Sequence, residues 1–195
     1  MKIIYLHQYF RFPNESGGTR SFDLATGFLR LGHDVEVLTL TSDSSYKKDK
    51  RWSRREKNGL VVHYIHLNYR NDMSYFQRSI VFFQFLFFST LKLLSLKGDL
   101  VLATSTPLTI GIPALIKKWI HKTQFIFEAR DIWPEAAIAI GAVKNKFLQK
   151  SLYFLEYLIY KNANAIVPLS IEMKQSITLR YPKLSKKNIQ VIENI

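Results

Sequence analysis

The sequence has no cysteine among its 195 residues, which excludes disulfide bonds and thiolate metal ligands. Acidic residues are also few, since 15 Asp and Glu stand against 28 Lys and Arg, and the formal net charge is +13. Such an excess of positive charge favours a polyanionic partner: a phosphorylated ligand, an anionic membrane surface or a nucleic acid. The lack of cysteine is compatible with a reducing compartment, and we expect a cytoplasmic protein.

Other signals are missing as well. Residues 1–6 contain a short apolar run but no small-residue cleavage site, so we expect a first strand rather than a secretory signal. The five histidines show no metal-ligand spacing with carboxylates, so we expect no metal and no cofactor. The order of elements matches no recognised nucleic-acid fold, and we expect no nucleic-acid partner.

Short apolar runs alternate with helical patterns along the chain, and the polar, basic stretch 42–58 is predicted to be a loop. The predicted strands are 2–6, 35–40, 60–67, 99–104, 124–127, 165–169 and 189–192, and the predicted helices are 19–31, 79–96, 109–121, 146–162 and 171–181. This order predicts one α/β domain over residues 1–195, with a Rossmann-like, doubly wound, mainly parallel sheet.

The helix predicted over 79–96 carries aromatic side chains all round rather than in one stripe. Three interpretations are open: a core helix, partial insertion into a membrane surface, or a membrane-spanning helix. An anionic membrane would also attract a set of basic and aromatic residues. This set comprises Tyr69, Arg70, Tyr75, Arg78 and, in the polar loop, Lys47, Lys48, Lys50, Arg51, Arg54, Arg55 and Lys57.

Charged residues follow a buried-strand pattern at Arg130, Asp131 and Glu135. Because ligands bind at the carboxyl ends of strands in an open parallel sheet, we expect these side chains in a cleft. They are suited to binding hydroxyls, balancing the charge of a diphosphate or exchanging protons. A structural ion pair is the alternative. His7 ends the first predicted strand and belongs to the same edge, unless it is a hydrogen-bonded structural group.

Two further loops belong to this edge. Gly17 and Gly18 precede the first helix, where close backbone approach and unpaired N–H groups suit a phosphate or a sugar hydroxyl. A flexible turn is the alternative. Thr104, Ser105 and Thr106 follow another strand, and their hydroxyls either meet a polar substrate or cap the next helix.

An ordered set of motifs resembles a known family. The motifs are HQYF at 7–10, GGTRS at 17–21, GHDV at 32–35, RDIWPE at 130–135, Glu156, Leu169-Ser170, and VIEN at 191–194. Together they resemble the N-terminal domain of glycosyltransferase family 4 enzymes, and most closely the aminosugar-type enzymes of bacterial surface-polysaccharide assembly (O-antigen, capsule or exopolysaccharide).

The resemblance implies a GT-B architecture, with two Rossmann-like domains facing a cleft and retaining transfer from a nucleotide sugar. The N-terminal domain would receive a polyprenyl diphosphate-linked glycan at the cytoplasmic face of the bacterial membrane. Gly17 and Gly18 would meet the donor phosphate, and Asp131 is the catalytic candidate, which would orient or polarise the acceptor hydroxyl. Many relatives have His where Arg130 stands, so a histidine-based role does not transfer. The predicted acceptor-binding or cleft residues are His7, Arg20, Arg130, Glu135, Thr104 and Ser105.

The family's C-terminal donor-binding domain lies outside residues 1–195. We therefore expect the isolated chain to fold without transferring sugar, and a separate donor-binding polypeptide is a candidate partner. The alternative function is a non-catalytic binding or partner subunit, or an inactive truncated remnant, that recruits a donor-domain protein or holds a lipid-linked glycan.

Overall fold

The computed structural model describes residues 1–42, 51–70, 72–139, 141 and 143–194, with the backbone alone at Tyr75. The strands are β1 (Lys2–Leu6), β2 (Asp34–Thr41), β3 (Trp52–Lys57), β4 (Leu60–His66), β5 (Leu100–Thr104), β6 (Gln124–Ala129), β7 (Ala165–Pro168) and β8 (Asn188–Ile189). The helices are α1 (Arg20–Arg30), α2 (Tyr75–Ser95), α3 (Gly111–His121), α4 (Glu135–Ala139), α5 (Lys146–Asn162) and α6 (Ile171–Arg180). Short 3₁₀ turns lie at Leu108–Ile110 and Pro182–Leu184.

In the described part of the chain the strands form one sheet in the order β3-β4-β2-β1-β5-β6-β7-β8. Every neighbouring pair is parallel except β3 and β4. The order reverses at β1, which lies between β2 and β5, so the sheet is doubly wound as predicted. The carboxyl ends of the parallel strands therefore lie along one edge of the sheet.

The prediction of a loop over 42–58 is wrong for its second half, because residues 52–57 form the edge strand β3. Asn58 and Gly59 both have positive φ, 54° and 75°, which is the backbone of a tight hairpin turn. The strand was missed because an edge strand tolerates charged side chains, here Arg54 and Arg55. Lys47, Lys48 and Lys50 lie outside the described residues.

Two hydrophobic clusters lie on opposite faces of the sheet. The larger packs α2, α3, α5 and α6 against one face, with Phe85, Leu115 and Ile159 among its buried side chains. The smaller packs α1 against the other face through Ala25, and Tyr5 lies within it. Each helical layer is thus held by burial of the apolar stripe that faces the sheet.

Helix α2 begins at Tyr75, four residues earlier than predicted, because Ser74 and Gln77 form a capping box there. One side of the helix is buried, at Val81, Phe85 and Leu93. The opposite side is exposed at Phe76, Ile80, Phe83, Phe87 and Leu91. By length and composition alone, residues 76–95 qualify as a candidate membrane span, with mean hydropathy 1.3 and only 22% of the apolar 18-residue stretch buried. One side of the helix therefore belongs to the protein core, and the other side is exposed.

Two smaller differences concern loops and ends. The short helix α4 was not predicted, and β8 is shorter than the predicted strand 189–192. Gln190 and Ile192 nevertheless continue to donate their backbone N–H groups to β7, at Ile166 O and Pro168 O (3.0 and 3.1 Å). The segment after β8 thus remains attached to the sheet.

The contact between α3 and α5 is tight enough to require glycine at Gly111. A Cβ built there lies 2.6 Å from Ile159 Cδ1, whereas one built on Gly27, inside α1, meets nothing within 4 Å. We expect Gly111→Ala to lower the free energy of unfolding by about 1–3 kcal/mol through overpacking. Gly27→Ala should raise it by about 0.5–1 kcal/mol through helix propensity. Urea unfolding of both variants checks this, and an unchanged midpoint for Gly111→Ala would contradict the close packing.

Candidate active site

A cavity of about 400 Å³ opens at the carboxyl edge of the sheet. Its lining comes from the loops that follow β1, β5, β6 and β7, and from the segment after β8. The lining residues are His7, Tyr9, Arg11, Gly17, Gly18, Thr106, Arg130, Asp131, Leu169 and Asn194. Residues far apart in sequence meet here because parallel strands bring their ends to one edge.

The Gly17-Gly18 loop lies between the side chains of Arg11 and Arg130. Gly17 has φ +131°, a backbone that side chains disfavour, and a Cβ there would lie 3.1 Å from Arg11 Cγ. A Cβ on Gly18 would lie 3.8 Å from Arg130 Nη2. The loop is therefore narrow and flanked by positive charge, which suits an anion.

His7 is buried against the first turn of α1. Its side chain is hydrogen-bonded through Nδ1 to Ser21 Oγ at 2.9 Å, and the residue is 4% exposed. Burial, and after it the charges of Arg130 and Arg11, together lower the pKa of His7 to about 3. The imidazole is therefore neutral at neutral pH and offers a hydrogen bond without charge.

Arg130 and Asp131 are held by the hydroxyls that follow β5. The backbone N–H of Arg130 donates to Ser105 Oγ at 2.8 Å, and the Thr106 hydroxyl donates to the Asp131 carboxylate. The Asp131 side chain is otherwise exposed to the cavity. Its carboxylate is thus oriented by one hydroxyl while remaining accessible to a ligand.

The alternative that Thr104 and Ser105 cap the following helix is wrong. The 3₁₀ turn that follows starts after Pro107 and has no side-chain cap, and neither has α3. Thr104 instead donates to Glu128 Oε2 at 2.9 Å, and Ser105 accepts from Arg130. Both hydroxyls fasten the end of β5 to the end of β6, and neither residue lines the cavity.

Arg20 also lies outside the cavity lining. Its Nε lies 2.9 Å from Glu128 Oε1, and its two Nη groups donate to backbone carbonyls at Ile192 and Glu193. The side chains of Arg20 and Glu128 are 9% and 2% exposed. The structure therefore places Arg20 in a buried ion pair beside the cavity, and its predicted acceptor contact remains a prediction.

Glu135 is likewise held by protein groups. It forms an ion pair with Arg180, which also binds both carboxylate oxygens of the buried Glu156, at 3.0 and 2.8 Å. Arg180 further reaches the carbonyl of Trp133 at 3.4 Å. Glu135 is not among the cavity residues, and this cluster instead fastens the loop that carries Asp131.

Of the predicted site residues, the structure therefore brings together five in the cavity: His7, Gly17, Gly18, Arg130 and Asp131. Thr106, from the hydroxyl-bearing run that was expected at this edge, also lines it. Sequence reasoning missed Tyr9, Arg11, Leu169 and Asn194 in its lining. It also missed Glu128, for which a signal existed, because a carboxylate within an apolar strand requires a buried partner. Among the described residues, no cluster of three or more His, Asp or Glu side chains is arranged to hold a metal ion.

The chain is similar to known proteins at the level of a domain family. Residues 17–194 match the family model for the glycosyl transferase 4-like domain. The chain belongs to this family. No curated protein matches the sequence.

Solved structures extend the comparison to the fold of this glycosyl transferase 4-like chain. One neighbour is sucrose-phosphate synthase from Thermosynechococcus elongatus, with a TM-score of 0.63 and 13% identity over 98% of this chain and 47% of that one. A trehalose-6-phosphate synthase gives a TM-score of 0.62 and 13% identity over 99% and 49%. The enzyme α,α-trehalose 6-phosphate synthase from Burkholderia multivorans gives a TM-score of 0.55 and 10% identity over 95% and 42%.

These neighbours are GT-B glycosyltransferases, and at such low identity they show the fold alone. The chain spans about half the length of each. The predictions of an α/β, Rossmann-like sheet of the GT-B type and of a glycosyltransferase family are thus confirmed.

The buried His7 predicts a pH dependence of stability. The unfolded chain binds a proton at this imidazole near its ordinary pKa of 6.5, whereas the folded chain does so only near 3. The free energy of unfolding should therefore fall as the pH falls from 6.5 towards 3. We expect His7→Gln to show a shallower decline in urea unfolding over this window. The control is His121→Gln, at the exposed end of α3, and parallel curves for wild type and His7→Gln would contradict the assignment.

Proposed function

We propose that the chain forms the acceptor-side domain of a retaining glycosyltransferase that builds bacterial surface polysaccharide. The acceptor is a lipid-linked glycan, carried on a polyprenyl diphosphate, and the donor is a nucleotide sugar. The observation that carries the proposal is the shared cavity: the Gly17-Gly18 loop, two guanidinium groups and the Asp131 carboxylate line one space of about 400 Å³.

The cavity groups suit both halves of sugar transfer. Charge develops on the departing diphosphate, and Arg11, Arg130 and the Gly17-Gly18 backbone are placed to stabilise it electrostatically. The acceptor hydroxyl must lose its proton as the new glycosidic bond forms, and Asp131 is available to accept a hydrogen bond from it. In retaining transfer the acceptor approaches the face that the leaving phosphate occupies. A carboxylate beside the phosphate loop therefore meets that need, while the nucleoside is assigned to a separate donor-binding domain.

The proposal extends to the membrane through α2. The exposed stripe of Phe76, Ile80, Phe83, Phe87 and Leu91 is free of acidic residues, and Arg78 and Lys92 lie on the same helix. Because the opposite side of α2 packs into the protein core, we place the helix along the membrane surface rather than across it. The net charge of +13 complements an anionic leaflet. The location proposed is the cytoplasmic face of the bacterial cell membrane, where the domain is peripheral.

A ring contact links this surface to the cavity. Tyr9 lines the cavity, and its ring lies 6.3 Å from that of Tyr69, which precedes the start of α2. A lipid-linked acceptor held near Tyr69 would therefore lie beside the wall of the cavity that Tyr9 forms. This arrangement supports a lipid-borne rather than a freely soluble acceptor.

Replacement of Asp131 tests the chemical role. In the protein that joins this chain to its donor-binding domain, we expect Asp131→Asn to lower kcat by about 10²-fold or more, as for loss of a positioned acid–base group. The thermal midpoint should change little, because the side chain is exposed. The control is Asp34→Asn, at the amino end of β2 and distant from the cavity edge. Wild-type turnover by Asp131→Asn would show that this residue has no part in the mechanism. Acceptor binding without turnover, in the wild type as well as in the variants, would favour a binding subunit.

Co-sedimentation with vesicles tests the membrane surface. We expect the chain to bind vesicles that contain phosphatidylglycerol and to be released as salt rises, because charge attraction is screened. Phe83→Ser with Phe87→Ser should reduce the bound fraction several-fold, since both side chains lie in the exposed stripe.

The control is Leu179→Ser, at an apolar position on α6 that is more exposed (80%) than Phe83 (64%) or Phe87 (59%). Equal loss of binding in this control would show non-specific adhesion. Stripe-dependent self-association without vesicle binding would identify a second copy of the chain as the occupant of this surface.

A further inference from the structure

A chain of hydrogen bonds runs beneath the cavity and ends on the segment after β8. Thr104 Oγ1 donates to Glu128 Oε2, and Arg20 Nε donates to Glu128 Oε1, both at 2.9 Å. Arg20 Nη1 then donates to Glu193 O at 2.6 Å, and Nη2 donates to Ile192 O at 2.9 Å. The network joins β5, β6, the first residue of α1 and the segment 191–194.

We propose that Arg20 is a positioning residue that fixes the segment 191–194 relative to the Gly17-Gly18 loop. Asn194 lines the cavity, as do Gly17 and Gly18, so this connection sets the distance between two parts of its wall. This positioning role of Arg20 is independent of the proposed function, whereas its effect on anion binding rests on that function.

The residue types fit this role. Glu128 is almost fully buried, so its carboxylate requires a charged partner, and the pair holds the guanidinium in one orientation. Arginine presents five N–H donors in a rigid fork, and here separate nitrogen atoms serve Glu128, Ile192 and Glu193. A lysine carries all its donors on one nitrogen atom and cannot serve three such separated acceptors at once.

Arg20 can link the segment 191–194 to the Gly17-Gly18 loop because of its position in the chain. Arg20 begins α1, two residues after Gly18. Displacement of the segment 191–194 is therefore passed through one side chain to the loop that flanks Arg11 and Arg130. The sheet itself holds this segment through Ile192 N–H to Pro168 O, and Arg20 adds the contact to Glu193 O. Where the segment leads into a second domain, as the sequence resemblance implies, Arg20 would couple the anion loop to that connection.

Hydrogen exchange measured by NMR tests the positioning role without any ligand. In Arg20→Lys we expect the Ile192 amide to exchange about tenfold faster or more, because the segment loses charge-assisted hydrogen bonds. The Ile3 amide, in the central strand β1, should keep its wild-type rate. Thr104→Val, which removes one hydrogen bond to Glu128, should give a smaller increase at the same amide.

The matched control is Arg30→Lys, at the exposed C-terminal end of α1. An unchanged Ile192 rate in Arg20→Lys would overturn the proposal. An equal rise at Ile192 and Ile3 would also overturn it, because Arg20 would then stabilise the whole fold rather than one segment.

A titration with inorganic pyrophosphate tests the consequence for the cavity. We expect the Gly18 amide shift of the wild type to report binding, and Arg20→Lys to weaken the apparent affinity about threefold or more while Arg30→Lys leaves it unchanged. Equal affinity in wild type and Arg20→Lys would overturn the coupling. Absence of pyrophosphate binding in the wild type would contradict the proposed function, whereas the exchange result would stand.

Discussion

The buried carboxylate of Glu128 constrains the whole carboxyl edge of the sheet. A carboxylate inside a protein costs several kcal/mol unless it is paired and hydrogen-bonded. Arg20 in α1 and Thr104 in β5 pair with this carboxylate. The start of α1 therefore cannot move away from β6 without leaving the buried charge of Glu128 unpaired. The Gly17-Gly18 loop is attached directly to this fixed point. The shape of the cavity therefore depends on one ion pair that does not line it.

A second constraint comes from the helices on the larger hydrophobic cluster. Helix α2 has to bury Phe85 and Leu93 against the sheet, which fixes the orientation of the whole helix and leaves Phe83 and Phe87 in solvent. Its exposed stripe is thus presented in a defined direction, and Tyr69, six residues before the helix, lies beside the cavity residue Tyr9. Because one side of α2 packs into the core, the position of the proposed membrane surface relative to the site is fixed.

The sequence predicted those parts of the structure that depend on hydrophobic periodicity. Apolar runs located the parallel strands, and strand-end geometry located Arg130 and Asp131 correctly in the cavity. The polar edge strand β3 was not predicted because its pairing with β4 requires no apolar face. The direction of individual side chains could not be predicted either. Glu135 lies near Asp131 in sequence, yet its carboxylate turns to Arg180, a partner that periodicity cannot identify. Arg11 and Asn194 line the cavity from irregular segments, which carry no periodic signal.

The charges of the cavity determine which of its residues can accept a proton. Burial, together with the permanent charges of Arg130 and Arg11, holds the pKa of His7 far below neutrality. A proton taken up by His7 would therefore add a third positive charge beside two others, on a side chain that is itself buried. Among the described residues that line the cavity, Asp131 alone carries a carboxylate. The two guanidinium groups that suit a diphosphate thus disfavour the nearby imidazole as a base. Asp131, oriented by Thr106, is left as the group able to share the proton of an acceptor hydroxyl.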